Sequence, residues 1–383
     1  MSRIDPPPRL RVCFVVASPL TARAFLSGHV AALSRRYAVD MAADAADPAE
    51  LGDIPAHARI FRVPIRRKVA PLADLVALAK LILHFWRERY AAVSSVTPKA
   101  GMLALLAATL ARVPLRVHIF TGQVWATRAG WQRSLLRAAD RFMARLATHI
   151  LADSPSQRDF MIAEGVAPGE KIRVLGDGSI CGVDETRFRP DAGRREAVRR
   201  AQGIPEEAVI FLFLGRLNRD KGVLDLADAF AALGRPDAWL LVVGPDEGNM
   251  RAAMEARLGP AQARCRFVGY TNRPEDFMAA ADVFCLPSYR EGFGMVIVEA
   301  AATGMPAMAS RIYGVTDAVE DEVTGLLHRP GDVAAIAAMM ALLASDPGWR
   351  RAMGNAARAR ALRLFSAEAV TAAWVRFYEK LLG

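Results

Sequence analysis

Short apolar runs alternate with longer segments of helical period along this chain, and that alternation restricts the fold more than any single residue does. In the first half, residues 10–17, 37–42, 92–96, 115–120 and 149–153 read as strands. Between them, 21–35, 72–89, 101–111 and 131–148 carry the apolar repeat of helices. The second half repeats the theme, with strands at 209–214, 239–243, 266–268 and 283–286 and helices at 223–233, 295–303 and 332–344. Strands separated by helices imply parallel sheets covered on both faces, an α/β architecture. With 383 residues, 53% of them apolar, the chain can bury two separate cores.

Residues 183–207 divide the halves. They hold Arg187, Arg189, Arg194, Arg195, Arg199 and Arg200 and few large apolar side chains, which predicts a linker followed by a solvated helix. The last helix, 367–382, carries Trp374, Phe377 and Tyr378 and is too apolar on one face to hang free. The expected organisation is a basic first domain over 1–182, a linker over 183–206 and a second domain over 207–365. The helix 366–383 would pack back towards the first domain.

Several classes are disfavoured. The first apolar run, residues 12–17, is shorter than a secretory core. The longest apolar helix, 72–86, contains Asp74, Lys80 and His84, so it is not a membrane span. The cysteines (Cys13, Cys181, Cys265 and Cys285) have no metal-ligand spacing, and a chain of this size needs no disulfide staples. A reducing, cytoplasmic setting is expected. There is no Asp-x-Asp, and the His residues form no close cluster, so no metal and no cofactor is expected.

Four features in the second half carry chemistry. After the strand 209–214 comes Gly215-Arg216-Leu217-Asn218-Arg219-Asp220-Lys221-Gly222, which opens a helix. Gly215 lets a backbone approach closely. Arg216 as a fork and Lys221 as a point charge suit two oxygens of a diphosphate. After the strand 283–286 comes Pro287-Ser288-Tyr289-Arg290-Glu291-Gly292-Phe293-Gly294-Met295, with Glu299 one turn inside the helix that follows. A helix start beyond a Gly-rich turn suits a phosphate, and each Glu is a two-armed acceptor for vicinal sugar hydroxyls. Two Glu residues eight apart say little alone; the Gly-Phe-Gly turn between them carries the argument. Gly244-Pro245 and Gly269-Tyr270 end two further strands, and Gly244 would admit a flat ring.

These residues resemble the donor domain of the family 4 glycosyltransferases. The match lies in Gly-Arg-Leu-x3-Lys-Gly at 215–222 and Glu-Gly-Phe-Gly-x4-Glu at 291–299, within a similar block spanning 215–325. Ala152-Asp153-Ser154-Pro155-Ser156, Gly182-Val183-Asp184 and Phe188-Arg189-Pro190 resemble that family's domain junction. Thr121-Gly122-Gln123-Val124-Trp125 resembles a branch that builds capsular, exopolysaccharide and lipid-linked bacterial glycans. The resemblance implies a GT-B fold, two Rossmann-like domains facing each other across a cleft. It implies a retaining, metal-independent transfer of sugar from a nucleotide sugar, a UDP-sugar, to a lipid-linked or polysaccharide acceptor. Arg216 and Lys221 would bind the donor diphosphate, Glu299 the ribose and Glu291 the transferred sugar. The Phe293, Gly294 and Met295 backbone would contact sugar and phosphates. His118 partly matches the family's cleft histidine and is the second catalytic candidate, with a structural role as the alternative. Where many members have a Gly-Gly turn after the first strand, this chain has Ala17-Ser18-Pro19-Leu20-Thr21, so no phosphate contact carries over to that loop. Other readings are a nucleotide-sugar 2-epimerase of GT-B fold and a non-catalytic nucleotide-sugar-binding subunit. The intact Glu-Gly-Phe-Gly-x4-Glu run favours the transferase.

The charge is uneven. The net charge is +10, with 27 Lys and Arg against 16 Asp and Glu in residues 1–190. Residues 54–145 alone hold 16 basic and 3 acidic side chains. Arg133, Arg137, Arg141 and Arg145 recur every four residues, opposite Trp131, Leu135, Ala138, Phe142 and Leu146, and Arg66-Arg67-Lys68 adds a cluster. This is an amphipathic basic helix, either an ordinary outer helix with a solvated arginine face or a surface that meets anionic lipid. A polyprenyl-diphosphate-linked sugar acceptor, usual in related enzymes, would be presented at such a surface on the inner face of the cell membrane. No helix-turn-helix, zinc-finger or RNP-like pattern is present, so nucleic acid is not an expected partner.

Overall fold

The computed structural model describes residues 9–45, 47–52, 54–55, 57–66 and 70–383. Arg67 and Lys68 of the basic cluster lie outside the described residues. The chain forms two compact units, Met1–Cys181 with Glu368–Gly383, and Gly182–Ala367.

The first unit holds a seven-stranded sheet, parallel throughout. Its strands are β1 (Arg11–Val15), β2 (Ala38–Ala43), β3 (Arg59–Arg62), β4 (Ala92–Val96), β5 (Leu115–Phe120), β6 (His149–Ala152) and β7 (Ile172–Val174). The order is β3-β2-β1-β4-β5-β6-β7, so the direction of winding reverses beside β1. The central strands are buried on both faces, which is why β1 reads as an apolar run, while β4 buries Ser94 and Ser95 among apolar neighbours. The terminal helix Ala367–Leu382 buries the face predicted for it. Trp374 stacks on His29 at 4.5 Å between ring centres, and His29 bridges Thr371 and the Ile180 carbonyl.

The second unit holds a six-stranded parallel sheet of order β10-β9-β8-β11-β12-β13. The strands are β8 (Val209–Leu214), β9 (Ala238–Val243), β10 (Cys265–Val268), β11 (Val283–Leu286), β12 (Ala307–Ser310) and β13 (Gly325–His328). Winding reverses between β8 and β11. Ligands of open parallel sheets bind beyond the carboxyl ends of the strands at such a reversal.

Three expectations are corrected. Residues 21–35 form two helices, Pro19–Phe25 and Ser27–Leu33, which meet at Leu26. The arginine-rich helix after the division, Ala192–Gln202, is not fully solvated. Arg199 is only 1% exposed and donates to the Asp282 carboxylate and to the carbonyls of Ala280, Pro205, Glu206 and Ala208. A buried guanidinium is tolerable only when paired and saturated with acceptors, as here.

The third concerns the helix Gly130–Leu146, which buries Asp140, Met143 and Ala144 rather than the predicted stripe. Arg133 and Arg137 turn inward to Glu164, at 2.5 and 2.8 Å, and Arg141 donates to the carbonyls of Glu164 and Gly165. Most of that stripe faces solvent, with Trp131 72% and Leu135 61% exposed, while Leu146 packs against the core and Arg145 is exposed. Glu164 at the end of the helix Pro155–Ala163 gathers the cations, and Asp140 is pinned beneath by the Trp125 indole N–H at 2.7 Å. No helix among the described residues is long and apolar enough to cross a membrane.

Candidate active site

The two sequence motifs of the second half occupy the loops after β8 and β11, the two strands that flank the winding reversal. Three glycines hold these loops together by removing side chains where backbones touch. A Cβ on Gly222, which is left-handed at φ +65°, would collide with the Pro287 carbonyl. One on Gly314 would strike the Gly292 carbonyl, and one on Gly244 the Gly215 carbonyl. The Tyr289 amide donates to the Asp220 carbonyl at 2.8 Å, which ties loop to loop.

Within this frame Lys221 Nζ lies 2.5 Å from Glu291 Oε1, and the Ser288 hydroxyl donates to the same oxygen at 2.7 Å. Oε2 makes no hydrogen bond among the described residues, so one arm of the carboxylate is held and the other is open. Both partners are largely buried, so the pair is weakly screened. Ser288 is fully buried and was not singled out from the sequence, although it lies inside the motif loop. Its signal is only its position three residues before Glu291.

Gly294 is left-handed and starts the helix Met295–Ala302. The Phe293 side chain is core, packed edge-on against Phe365 at 5.2 Å, so only its backbone faces the loop. Glu299 sits in the second turn of that helix, and no hydrogen bond reaches its carboxylate among the described residues. Burial lifts it to about 7, opposed by the attraction of Arg187 and assisted by Glu275.

Other candidates lie elsewhere. Arg216 is half-exposed and ion-paired with Glu247 at 3.1 Å rather than with the Lys221–Glu291 pair. Gly244 is required by its close approach to Gly215, whose carbonyl occupies the space a Cβ would need. His118 belongs to the first unit, on β5, and is 0% exposed. Its Nδ1 meets the Ser95 hydroxyl at 2.9 Å, Phe120 packs edge-on at 4.5 Å, and Gly101 lies against Cε1 with no space for a Cβ. Burial pushes its pKa down to about 3, so it is a neutral, enclosed histidine. A catalytic role by direct contact does not fit this placement, because a substrate cannot touch it while the helix Pro98–Leu110 covers it. Among the described residues no three His, Cys, Asp or Glu side chains come together as a metal site.

Comparison with known proteins decides the family. Residues 22–178 match the model of a glycosyl transferase 4-like domain, and residues 194–360 that of the glycosyl transferases group 1. A capsular polysaccharide biosynthesis glycosyltransferase, CapM of Staphylococcus aureus, is 30% identical over 80% of this chain and 81% of its own length. The chain belongs to the family 4 glycosyltransferases. A second relative of this glycosyltransferase is the Escherichia coli UDP-Gal:alpha-D-GlcNAc-diphosphoundecaprenol alpha-1,3-galactosyltransferase, 27% identical over 72% of each chain. The structure of Anabaena HepE in complex with UDP-glucose superposes with a TM-score of 0.80 over 97% of this chain and 100% of that one, at 22% identity. The fold is accordingly GT-B, built from two Rossmann-like domains.

Proposed function

We propose that this glycosyltransferase moves a sugar from a UDP-sugar to a lipid-linked or polysaccharide acceptor in bacterial surface glycan assembly. The Gly182–Ala367 unit would take the donor, and the first unit, with helix 366–383, the acceptor. The observation that carries this is the Lys221–Glu291–Ser288 cluster, set between a glycine-clamped loop and the start of the helix Met295–Ala302. The relatives support it in kind: one is named for a UDP-galactose donor and a diphosphoundecaprenol acceptor, and one was crystallised with UDP-glucose.

In this reading the donor diphosphate replaces Glu291 as the partner of Lys221, and Arg216 leaves Glu247 for a second phosphate oxygen. The first-turn N–H groups behind Gly294 add positive potential. Glu291, held through Oε1 by Ser288, turns Oε2 to the hydroxyls of the transferred sugar, and Glu299 takes the ribose. The departing diphosphate gains negative charge as the glycosidic bond breaks, and fixed cations and N–H groups stabilise that charge without a metal. We assign retention of configuration, with the acceptor attacking on the face the diphosphate leaves and the diphosphate oxygen taking its proton. Enzyme action would take place at the cytoplasmic face of the membrane.

The test is a panel of UDP-, GDP- and ADP-sugars, with nucleoside diphosphate release measured in the presence and absence of lipid-linked acceptors. Turnover of a UDP-sugar that Glu291→Ala abolishes is expected. Absence of turnover with every donor, or an unaffected Glu291→Ala variant, overturns the assignment. Proton NMR of the product gives the anomeric configuration.

A further inference from the structure

Asp282 immediately precedes β11, and Met305 and Pro306 lead into β12. These residues mark the amino edge of the second sheet, the edge opposite the motif loops. A cavity of about 480 Å³ opens there, lined also by Arg195, Arg350 and Arg351. Its volume is that of a small-ligand site. All of its lining belongs to the Gly182–Ala367 unit.

The walls are fixed by close contacts. A Cβ on Gly354 would strike the Gly304 carbonyl, so the helix Pro347–Phe365 lies directly on the turn between the helix Met295–Ala302 and β12. Arg358 donates to the Ala302 carbonyl beside it at 3.1 Å. On the other side Arg195 donates to the Ala280 carbonyl at 3.2 Å and to the Asp282 carboxylate at 3.0 Å.

The carboxylates around this cavity are already engaged. Asp282 accepts from Arg195 through Oδ1, and from Arg199 and the Ile210 N–H through Oδ2. Asp191 accepts from the Arg194 amide and lies 3.4 Å from Arg194 Nε. Asp346 accepts from the Trp349 amide, and Glu206 stands 3.6 Å from Arg195. Among the described residues none of these carboxylates pairs with Arg350 or Arg351. Arg350 is partly buried and donates only to the Leu343 carbonyl, while Arg351 is exposed and donates to nothing among the described residues. Burial lowers the Arg350 pKa; attraction to Asp282 opposes this, and Arg351 and Arg195 add to it. A cation drawn out of water without a counter-charge is costly, and Arg199 on Asp282 shows the paired alternative in the same unit. What the two arginines at the cavity lack is an anion.

We propose that this cavity binds a phosphate-bearing small molecule, whose phosphate oxygens accept from Arg350 and Arg351 and whose body rests on Met305 and Pro306. A phosphate dianion offers three acceptor oxygens to the two guanidinium forks. A concave cavity suits a compact ligand rather than a polyanion chain. The site is separate from the Lys221–Glu291 cluster, on the opposite edge of the sheet, and the proposal stands whether or not the donor reading does.

The whole chain is titrated calorimetrically with ribose 5-phosphate as the Lys221→Ala variant, which removes the cation of the proposed donor site. This variant is expected to retain saturable binding, with inorganic phosphate competing and malonate, a dicarboxylate, competing far less. In the same background Arg350→Gln with Arg351→Gln should weaken binding at least about tenfold. Arg351→Gln alone, at an exposed position, should weaken it several-fold with thermal unfolding unchanged, and Arg351→Lys should recover part of the loss. Three results overturn the proposal: Lys221→Ala without saturable binding, arginine variants that bind as their parent does, or malonate that competes as well as phosphate.

Discussion

Lys221 and Glu291 neutralise each other across 2.5 Å, one from the loop after β8 and one from the loop after β11. The pair thus reports on both loops at once, and in the proposed reading a donor divides it on binding. Replacing Lys221 by Ala removes a charge-assisted partner of the diphosphate, worth about 1.5–3 kcal/mol. UDP affinity should fall roughly ten- to a hundredfold by calorimetry. Unchanged affinity would remove Lys221 from the donor site.

Glu291→Ala should lower kcat by about a hundredfold or more with the fold retained, because the residue stands on a loop and its loss leaves no cavity in the core. Ser288→Ala is the finer probe. Among the described residues the hydroxyl hydrogen-bonds only to Glu291 Oε1, so its loss should reduce kcat several-fold and leave the donor KM nearly as it was. A Ser288→Ala enzyme with wild-type kcat would mean that Glu291 needs no orientation.

Glu299 titrates at about 7 because burial penalises its charged form. Its folded pKa lies above the unfolded value, so the folded state holds an extra proton between about pH 4.5 and 7, and this contribution to stability is lost as pH rises through that window. Donor binding runs the other way, since a carboxylate that accepts two ribose hydroxyls must be ionised. UDP affinity should rise from pH 6 to 8 with proton release. Glu299→Gln should bind more weakly and lose that slope. A pH-independent wild type would exclude Glu299 from the ribose.

Much of the fold was legible because buried parallel strands such as β8 and β9 are uninterrupted apolar runs. β12, Ala307–Ser310, is built largely of small residues, and β3 carries Arg at both ends, so neither has a run to read. The period of the helix Gly130–Leu146 was legible, but its orientation was not. The inward face is made of Met143 and Ala144 in the core, Asp140 on Trp125, and arginines on Glu164, partners distant in sequence. Likewise Arg199 looked solvated because its partner Asp282 is 83 positions away. At the candidate site, the motif spacing singled out Lys221 and Glu291, but not their direct pairing across 70 positions, which no local pattern encodes.

His118 gives the sharpest stability prediction. The ring is enclosed by Ser95, Phe120 and Gly101, and an added methyl at Gly101 would overlap Cε1. Gly101→Ala should therefore destabilise the chain by on the order of 1–3 kcal/mol through overpacking, read as a lower urea midpoint at constant m. His118→Ala alone should also destabilise, by leaving a cavity. Together the two changes should cost less than their sum, because the new methyl enters the space the ring vacates. The buried ring also resists protonation. Its folded pKa, about 3, lies below the unfolded value, so stability is lost as pH falls from about 6.5. His118→Gln should flatten that part of the profile, and donor hydrolysis by the same variant should continue, since an enclosed ring touches no substrate. If hydrolysis stops while the fold and UDP affinity persist, the ring reaches the reacting sugar and the helix Pro98–Leu110 must open to admit it.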